Sequence, residues 1–178
     1  MSRIRPTTAS DAPLLMNVER SAGALFRTIP DLAWIADDEV TSLEGHLKGI
    51  VKGTHWVAVD GQDEVQGFLC AEALPNALHI WEVAVAEKWQ GQGIGRHLVD
   101  AAVCYGRGLG IPSVTLTTFT TVPWNAPYYE RLGFEILGAA ELDTRLQALL
   151  AGEAARGLPA AQRCAMRLSL LALPPRAV

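Results

Sequence analysis

Three closely spaced glycines after an apolar segment are the most chemically suggestive feature of this 178-residue chain. The apolar segment consists of Val83, Ala84 and Val85. The run that follows consists of Gln90, Gly91, Gln92, Gly93, Ile94, Gly95 and Arg96. Glycine lets the backbone approach an anion and take positive φ angles, and the free N–H groups and dipole of a helix start favour phosphate. The pattern predicts a pyrophosphate-binding loop, with a turn that binds nothing as the alternative.

Two other nucleotide-binding patterns disagree with this run. A dinucleotide-binding fold needs a third glycine where Arg96 stands, and a nucleotide-triphosphate loop needs Gly-Lys-Ser/Thr, which is absent. In the predicted loop Arg96 could instead add a charge-assisted contact to phosphate. The spacing therefore favours a pyrophosphate of another kind of cofactor.

The Gln-x-x-Gly-x-Gly run after a Val-x-Val strand resembles the acyl-CoA-binding motif of the GNAT superfamily of N-acetyltransferases. A second run, from Tyr129 to Phe134, resembles the Tyr-x-x-x-Gly-Phe run late in that family's fold. The order of predicted strands and helices is similar to the family's from residue 3 to about residue 173. The resemblance implies acetyl-CoA as cofactor and acyl transfer to an amine.

The same resemblance assigns residues to the reaction. It implies that Val83, Ala84 and Val85 pair with the pantetheine arm and that the backbone amides of residues 90–96 bind the pyrophosphate. A backbone N–H at Val85 would polarise the thioester carbonyl, a role that needs no particular side chain. Tyr129 would donate a proton to the departing thiolate. Tyr128 is its neighbour, and on a helix its side chain should point about 100° away.

The base that removes a proton from the amine has three candidates. Glu82 lies on the cofactor strand, but strict alternation places its side chain on the face opposite Val83 and Val85. His79 shares their face and has an ordinary pKa near 6.5, and some family members carry a glutamate there. A chain of water molecules is the third possibility.

One segment departs from the family pattern. Many members have Asn-x-x-Ala-x-x-x-Tyr before the Gly-Phe pair, but Val122 stands here at the asparagine position. Asn125 could reach the cofactor from one turn further along, or it could only cap the helix that carries Tyr129.

The predicted elements that position these residues alternate along the whole chain. Hydrophobic periodicity and turn residues predict strands over residues 3–5, 55–59, 65–73, 78–85, 113–119, 133–137 and 164–173. They predict helices beginning near residue 10, after a cap at Asp37, Asp38 or Thr41, and over residues 95–109, 123–132 and 144–153. The early strands should pair antiparallel and the strand–helix–strand unit parallel. We expect a mixed α/β fold (α+β by some conventions), with one GNAT-like domain over residues 1–178 and a mixed central sheet flanked by helices.

Composition and charge narrow the classes of protein further. Apolar residues make up 49% and charged residues 19%, which excludes disorder as the main state, and the net charge of −4 argues against a nucleic-acid or anionic-membrane binder. The three cysteines and four histidines show no disulfide or zinc spacing, so no metal is expected. The N-terminus shows no signal peptide and no apolar run suits a membrane span, so the cytoplasm is the expected location. The closing strand could pair across a two-fold axis, which makes a homodimer possible.

These observations favour an acetyl-CoA-dependent N-acetyltransferase that acts on the amine of a small or amino-acid-like molecule. A peptide or protein acetyltransferase is an alternative with the same fold. A non-catalytic CoA-binding sensor is the alternative from another class of protein.

Overall fold

Seven strands form one sheet in the computed structural model, which describes residues 2–171. They are β1 (Arg3–Pro6), β2 (His55–Val59), β3 (Val65–Ala73), β4 (Leu78–Val85), β5 (Ser113–Phe119), β6 (Glu135–Ile136) and β7 (Arg163–Ser169). The helices are α1 (Ala12–Gly23), α2 (Leu43–Val51), α3 (Ile94–Gly108), α4 (Ala126–Arg131) and α5 (Thr144–Ala155). The strand order is β1-β2-β3-β4-β5-β7-β6, antiparallel among β1, β2 and β3, parallel between β4 and β5, and antiparallel among β5, β7 and β6. The predicted mixed α/β class is confirmed.

Internal contacts divide the described chain into two units. The first contains residues 2–73 and 80–105, and the second contains residues 74–79 and 106–171. Strand β4 begins in the second unit and continues in the first, so each unit contains part of it.

In the first unit, α1 covers one face of the strands with an apolar stripe. Leu15 and Val18 pack against Val57 of β2 and Phe68 of β3, as the helical spacing of the apolar residues predicts. Gly67 permits β3 to lie close to β4, because a Cβ there would stand 2.8 Å from the Ala84 carbonyl oxygen. The end of β4 and the loop after it therefore rest on a closely packed sheet.

In the second unit, α5 packs against β7. Leu146 lies with Ala165 and Leu137 in a small apolar cluster. A buried ion pair joins the helix to the strand, because Arg163 Nε donates to Glu153 Oε2 at 2.9 Å. These contacts fix α5 and β7 to one another.

The structure corrects several local predictions. The N-cap of α2 is Ser42, whose hydroxyl accepts from Gly45 N at 3.1 Å, and not Asp37, Asp38 or Thr41. The segment before it forms two 3₁₀ helices, Ala24–Thr28 and Pro30–Asp37. The helix predicted over residues 123–132 begins at Ala126.

The closing strand differs from its prediction in extent and in position. Strand β7 ends at Ser169, and residues 172–173 of the predicted strand lie outside the described residues. Strand β7 also lies between β5 and β6. Strand β5 pairs along the whole of β7, whereas β6 pairs only with Arg167 and Met166. Pairing of this strand across a two-fold axis, the reason to expect a dimer, stays a prediction. Within residues 2–171, no helix is both long and apolar enough to cross a membrane.

Candidate active site

The glycine loop after β4 has the backbone geometry that its sequence predicts. Gly91 and Gly93 have φ angles of 75° and 80°, in the left-handed region that favours glycine. Apart from the residue itself and its two chain neighbours, no described atom lies within 4 Å of the position that a Cβ would take at either residue. Ile94 begins α3 and is buried, which anchors the helix start. The loop therefore offers open space beside amide groups, and a pyrophosphate fits it.

Side chains of the same loop hold it against the end of β4. Gln90 Nε2 donates to the Val85 carbonyl oxygen at 3.0 Å, so this side chain stabilises the turn. Arg96 is 64% exposed, and its Nε lies 3.8 Å from Asp100 Oδ2, a long and weak ion pair. The guanidinium is therefore accessible to an anion from outside the protein.

Strand β4 does not show the strict alternation expected from its sequence. Leu78, His79 and Ile80 are all buried in succession, whereas Val83 and Val85 are half-buried and Ala84 belongs to the apolar core. Alternation alone therefore does not decide which side chains of this strand face a substrate.

Glu82 has altered acid–base chemistry. It is half-buried, and the surrounding protein removes much of the water that would stabilise its charge. This desolvation, with a smaller effect from the negative charge of Glu19, raises the pKa of Glu82 from 4.5 to about 8. A carboxyl group with such a pKa can accept a proton near neutral pH, which is what a general base requires.

Glu19 was not identified from the sequence, although a signal was present. It lies on α1 four residues after Leu15 and three before Ala22, and therefore on the buried stripe of that helix. Both of its carboxylate oxygens accept from Thr41 N at 3.1 Å, and His46 Nε2 lies 3.6 Å from Oε2. A charged residue that interrupts an apolar stripe indicates a buried polar site.

His79, the other predicted base, is held inside the second unit. It is 1% exposed, and its Nδ1 lies 3.0 Å from Thr115 Oγ1 on the parallel strand β5. Arg145 Nη2 donates to the same hydroxyl at 3.2 Å. The sequence indicated neither Thr115 nor Arg145 as a partner of this histidine.

Tyr129 and Asn125 lie in the second unit, on or beside the short helix α4. The ring of Tyr129 makes edge-to-face contacts with Tyr128 and Phe134, at centroid distances of 5.2 and 5.6 Å. Asn125 is the N-cap residue of α4, but its side chain does not cap the helix. Its Oδ1 instead accepts from Thr118 Oγ1 at 2.8 Å and so binds to β5. The structure thus places Gln90 to Arg96 and Glu82 in one unit, and His79, Asn125 and Tyr129 in the other.

Comparison with known families identifies a domain in the middle of the chain. The family model described as "Acetyltransferase (GNAT) domain" matches residues 51–136. This stretch contains β4, the glycine loop and the run from Tyr129 to Phe134. The match agrees with the superfamily recognised from these two motifs.

A curated relative and two solved structures extend the likeness. The peptidyl-lysine N-acetyltransferase YjaB of Salmonella typhimurium is 32% identical over 88 residues, which cover 49% of this chain and 54% of that protein. The chain thus spans about half the length of the curated relative that it matches. The PaiA N-acetyltransferase of Thermoplasma acidophilum, solved with coenzyme A, is 16% identical with a TM-score of 0.69, over 95% of this chain and 99% of that one.

The second structure is the N-acetylglutamate synthase of Neisseria gonorrhoeae with coenzyme A and N-acetyl-glutamate. It is 17% identical with a TM-score of 0.72, over 97% of this chain and 36% of that one. At these identities the two structures establish the fold, which this chain shares over nearly its whole length. The matches also agree with the predicted class of enzyme, an acyltransferase, and with acetyl-CoA as its cosubstrate.

Proposed function

We propose that this chain, a member of the GNAT superfamily, transfers the acetyl group of acetyl-CoA to the amine of a small or amino-acid-like molecule. The observation that carries the proposal is the half-buried Glu82, with its pKa raised to about 8, on the strand that leads into the glycine loop. That strand therefore combines a proton acceptor with an anion-binding turn.

The loop and the end of β4 would hold the cosubstrate. Acetyl-CoA supplies an acetyl group already activated as a thioester. The amides of residues 90–96 would bind its pyrophosphate and Arg96 would add a charge-assisted contact. The backbone N–H of Val85 would stabilise negative charge that develops on the carbonyl oxygen.

Glu82 is the preferred base of the three predicted candidates. Its carboxyl group is half-buried, so it combines access to a substrate with the desolvation that raises its pKa. His79 is almost fully buried, and its Nδ1 is already within hydrogen-bonding distance of Thr115. Glu82 would accept a proton from the acceptor ammonium and leave a neutral amine, which is the form that attacks a thioester.

Tyr129 is the proposed proton donor. Its hydroxyl would protonate the leaving thiolate as charge develops on sulfur. The contacts of its ring with Tyr128 and Phe134 restrict its motion and so favour a fixed hydroxyl position.

A peptide lysine is the second candidate for the acceptor. The likeness to the peptidyl-lysine N-acetyltransferase YjaB favours it. A lysine peptide and free lysine present the same side-chain amine, so their relative kcat/KM values separate the two candidates. A much larger value for the peptide would favour the second.

The proposal includes one functional domain over residues 1–178, because β4 contributes to both units and the likeness to the PaiA structure covers 95% of the chain.

The proposal also places the reaction in the cytoplasm. Cys70, Cys104 and Cys164 are all free thiols, as a reducing compartment would keep them. A homodimer remains part of the prediction.

Cofactor binding is tested with matched glycine variants. Gly93 and Gly157 both have positive φ angles, 80° and 96°, with nothing within 4 Å of an added Cβ, but only Gly93 lies in the loop. Gly93→Ala and Gly157→Ala should therefore lose similar stability, about 1–2 kcal/mol from the left-handed conformation. Only Gly93→Ala should weaken binding of CoA, measured by calorimetry.

The thermal shift of the wild type supplies the second readout. Acetyl-CoA and CoA should raise the melting temperature at near-millimolar concentration and NAD should not, because only a ligand that binds the folded state stabilises it. Equal CoA affinity in both glycine variants, or no shift with either CoA species, would remove the cofactor assignment.

A further inference from the structure

Arg145, in the first turn of α5, has a buried guanidinium nitrogen with no partner among residues 2–171. Its Nη2 donates to Thr115 Oγ1 at 3.2 Å, whereas its Nη1 is buried and makes no hydrogen bond. Asp143, two residues earlier, uses its carboxylate to accept from Leu146 N at 2.7 Å as the helix cap. The nearest acid along the helix is thus already engaged with the backbone.

Arg163 in the same unit shows how a buried arginine is usually accommodated. Its Nε donates to Glu153 Oε2 at 2.9 Å, and its guanidinium lies 4.5 Å from the centre of the Phe119 ring. Arg145 has no such ion pair among the described residues. A buried donor nitrogen without an acceptor is destabilising, and a ligand that accepts a hydrogen bond from Nη1 would remove that cost.

Arg145 is connected through one hydroxyl to the strand that carries the reaction. An arginine can only donate hydrogen bonds, so Thr115 Oγ1 accepts from it. The hydroxyl hydrogen of Thr115 is then left to be donated to His79 Nδ1, 3.0 Å away on β4. Residue 145 itself is only partly buried, so its side chain retains a route to solvent.

We propose that Arg145 binds a carboxylate of the acceptor, so that the preferred acceptors are amino acids or other amines that carry a carboxylate. The inference rests on the proposed acetyl transfer and narrows its substrate class. The planar guanidinium matches a carboxylate in shape and charge. The carboxylate would supply the hydrogen-bond acceptor that Nη1 lacks, and Thr115 would keep the guanidinium in place. The role of Arg145 is binding and positioning, and no bond is made or broken at it.

The test compares amino acids with their primary amides, which keep the amine and the side chain but lack the carboxylate. Rates of CoA thiol release give the ratio of kcat/KM for each acid to that of its amide. The amine of an amino-acid amide has a lower pKa than the amine of the free amino acid, and this difference alone changes the ratio. The ratio is therefore compared between the wild type and the variants, in which the effect of the amine pKa is the same. For the best acid, Arg145→Met should lower the ratio by at least roughly tenfold, since it removes the partner of the carboxylate. Arg156→Met, at the exposed C-terminal end of the same helix, should leave the ratio unchanged.

Melting temperatures distinguish this role from a structural one. Arg145→Met should melt near the wild-type temperature, because it removes one hydrogen bond to Thr115 and no ion pair. Arg163→Met should melt lower, because it leaves Glu153 buried without its cation. A loss in Arg145→Met as large as that in Arg163→Met, or an unchanged ratio, would overturn the proposal.

Binding of the same amino acids to the CoA-saturated protein is measured by calorimetry in parallel. Acetylation of amines without any preference for the carboxylate would overturn the role of Arg145 and leave the acetyl transfer standing. Carboxylate-dependent binding that is lost in Arg145→Met, without turnover of any amine, would contradict the acetyl transfer and support the role of Arg145.

Discussion

The pH dependence of the reaction should follow the titration of Glu82. With a pKa of about 8, the group is deprotonated in about 9% of molecules at pH 7, about half at pH 8 and about 90% at pH 9. If Glu82 is the base, the part of kcat/KM that depends on deprotonated Glu82 should rise about tenfold from pH 7 to pH 9. Glu82→Gln keeps the shape of the side chain but cannot accept the proton. It should lower kcat/KM at pH 9 by on the order of 10²-fold.

The acceptor amine also titrates in this range, so the two proteins are assayed with one amine and their ratio is plotted against pH. The plot should show an inflection near pH 8. Glu19→Gln should move that inflection to lower pH, because it removes the negative charge that contributes to the raised pKa of Glu82. A Glu82→Gln variant within about threefold of wild type, far short of a general-base effect, and with an unchanged profile would refute the assignment.

Stability gives an independent readout of the same pKa. Between about pH 4.5 and pH 8 the folded protein keeps the proton on Glu82, whereas the unfolded chain has released it. The free energy of unfolding should therefore fall as the pH rises through this range. In Glu82→Gln that contribution to the slope should disappear, as measured by urea denaturation at several pH values.

Two further predictions concern the proton donor and the N-terminal ion pair. Tyr129→Phe should lower kcat by on the order of 10²-fold and leave the affinity for acetyl-CoA unchanged, because the hydroxyl acts only as charge develops on sulfur. Tyr128→Phe is the control, and equal kcat values for the two variants would remove Tyr129 as the donor. The guanidinium of Arg5, 2.7 Å from Asp11, lowers the pKa of that carboxyl from 3.8 to about 2. The stabilisation of the folded state by this lowered pKa is complete above about pH 4 and should be lost as the pH falls towards 2. In Asp11→Asn the free energy of unfolding should therefore depend less on pH in this range. Parallel plots of the free energy of unfolding against pH for the two proteins would contradict that role.

Local signals in the sequence predict most of the fold. The bounds of β3, β4 and β5 agree with their predictions to the residue, because turn residues such as Asp60, Gly61 and Pro75 lie beside runs of apolar and β-branched residues. The glycine loop was equally predictable, since the positive φ angles of Gly91 and Gly93 require that residue type.

Features that depend on distant residues could not be predicted in this way. The pKa of Glu82 is raised by burial and by Glu19, 63 positions earlier in the chain. Asn125 binds Thr118 of β5 instead of capping its own helix, and only the packed structure reveals that choice. The position of β7 between β5 and β6 likewise follows from strand pairing that no local pattern records.

Release of CoA thiol from acetyl-CoA in the presence of amines tests the central claim most directly. The panel contains amino acids, their amides, simple diamines and lysine peptides, and mass spectrometry identifies the product. We predict amine-dependent thiol release by the wild type, with a product one acetyl group heavier than the acceptor and acetylated on nitrogen. A protein that binds acetyl-CoA but releases no thiol with any of these amines would contradict the claim and would favour a non-catalytic CoA sensor.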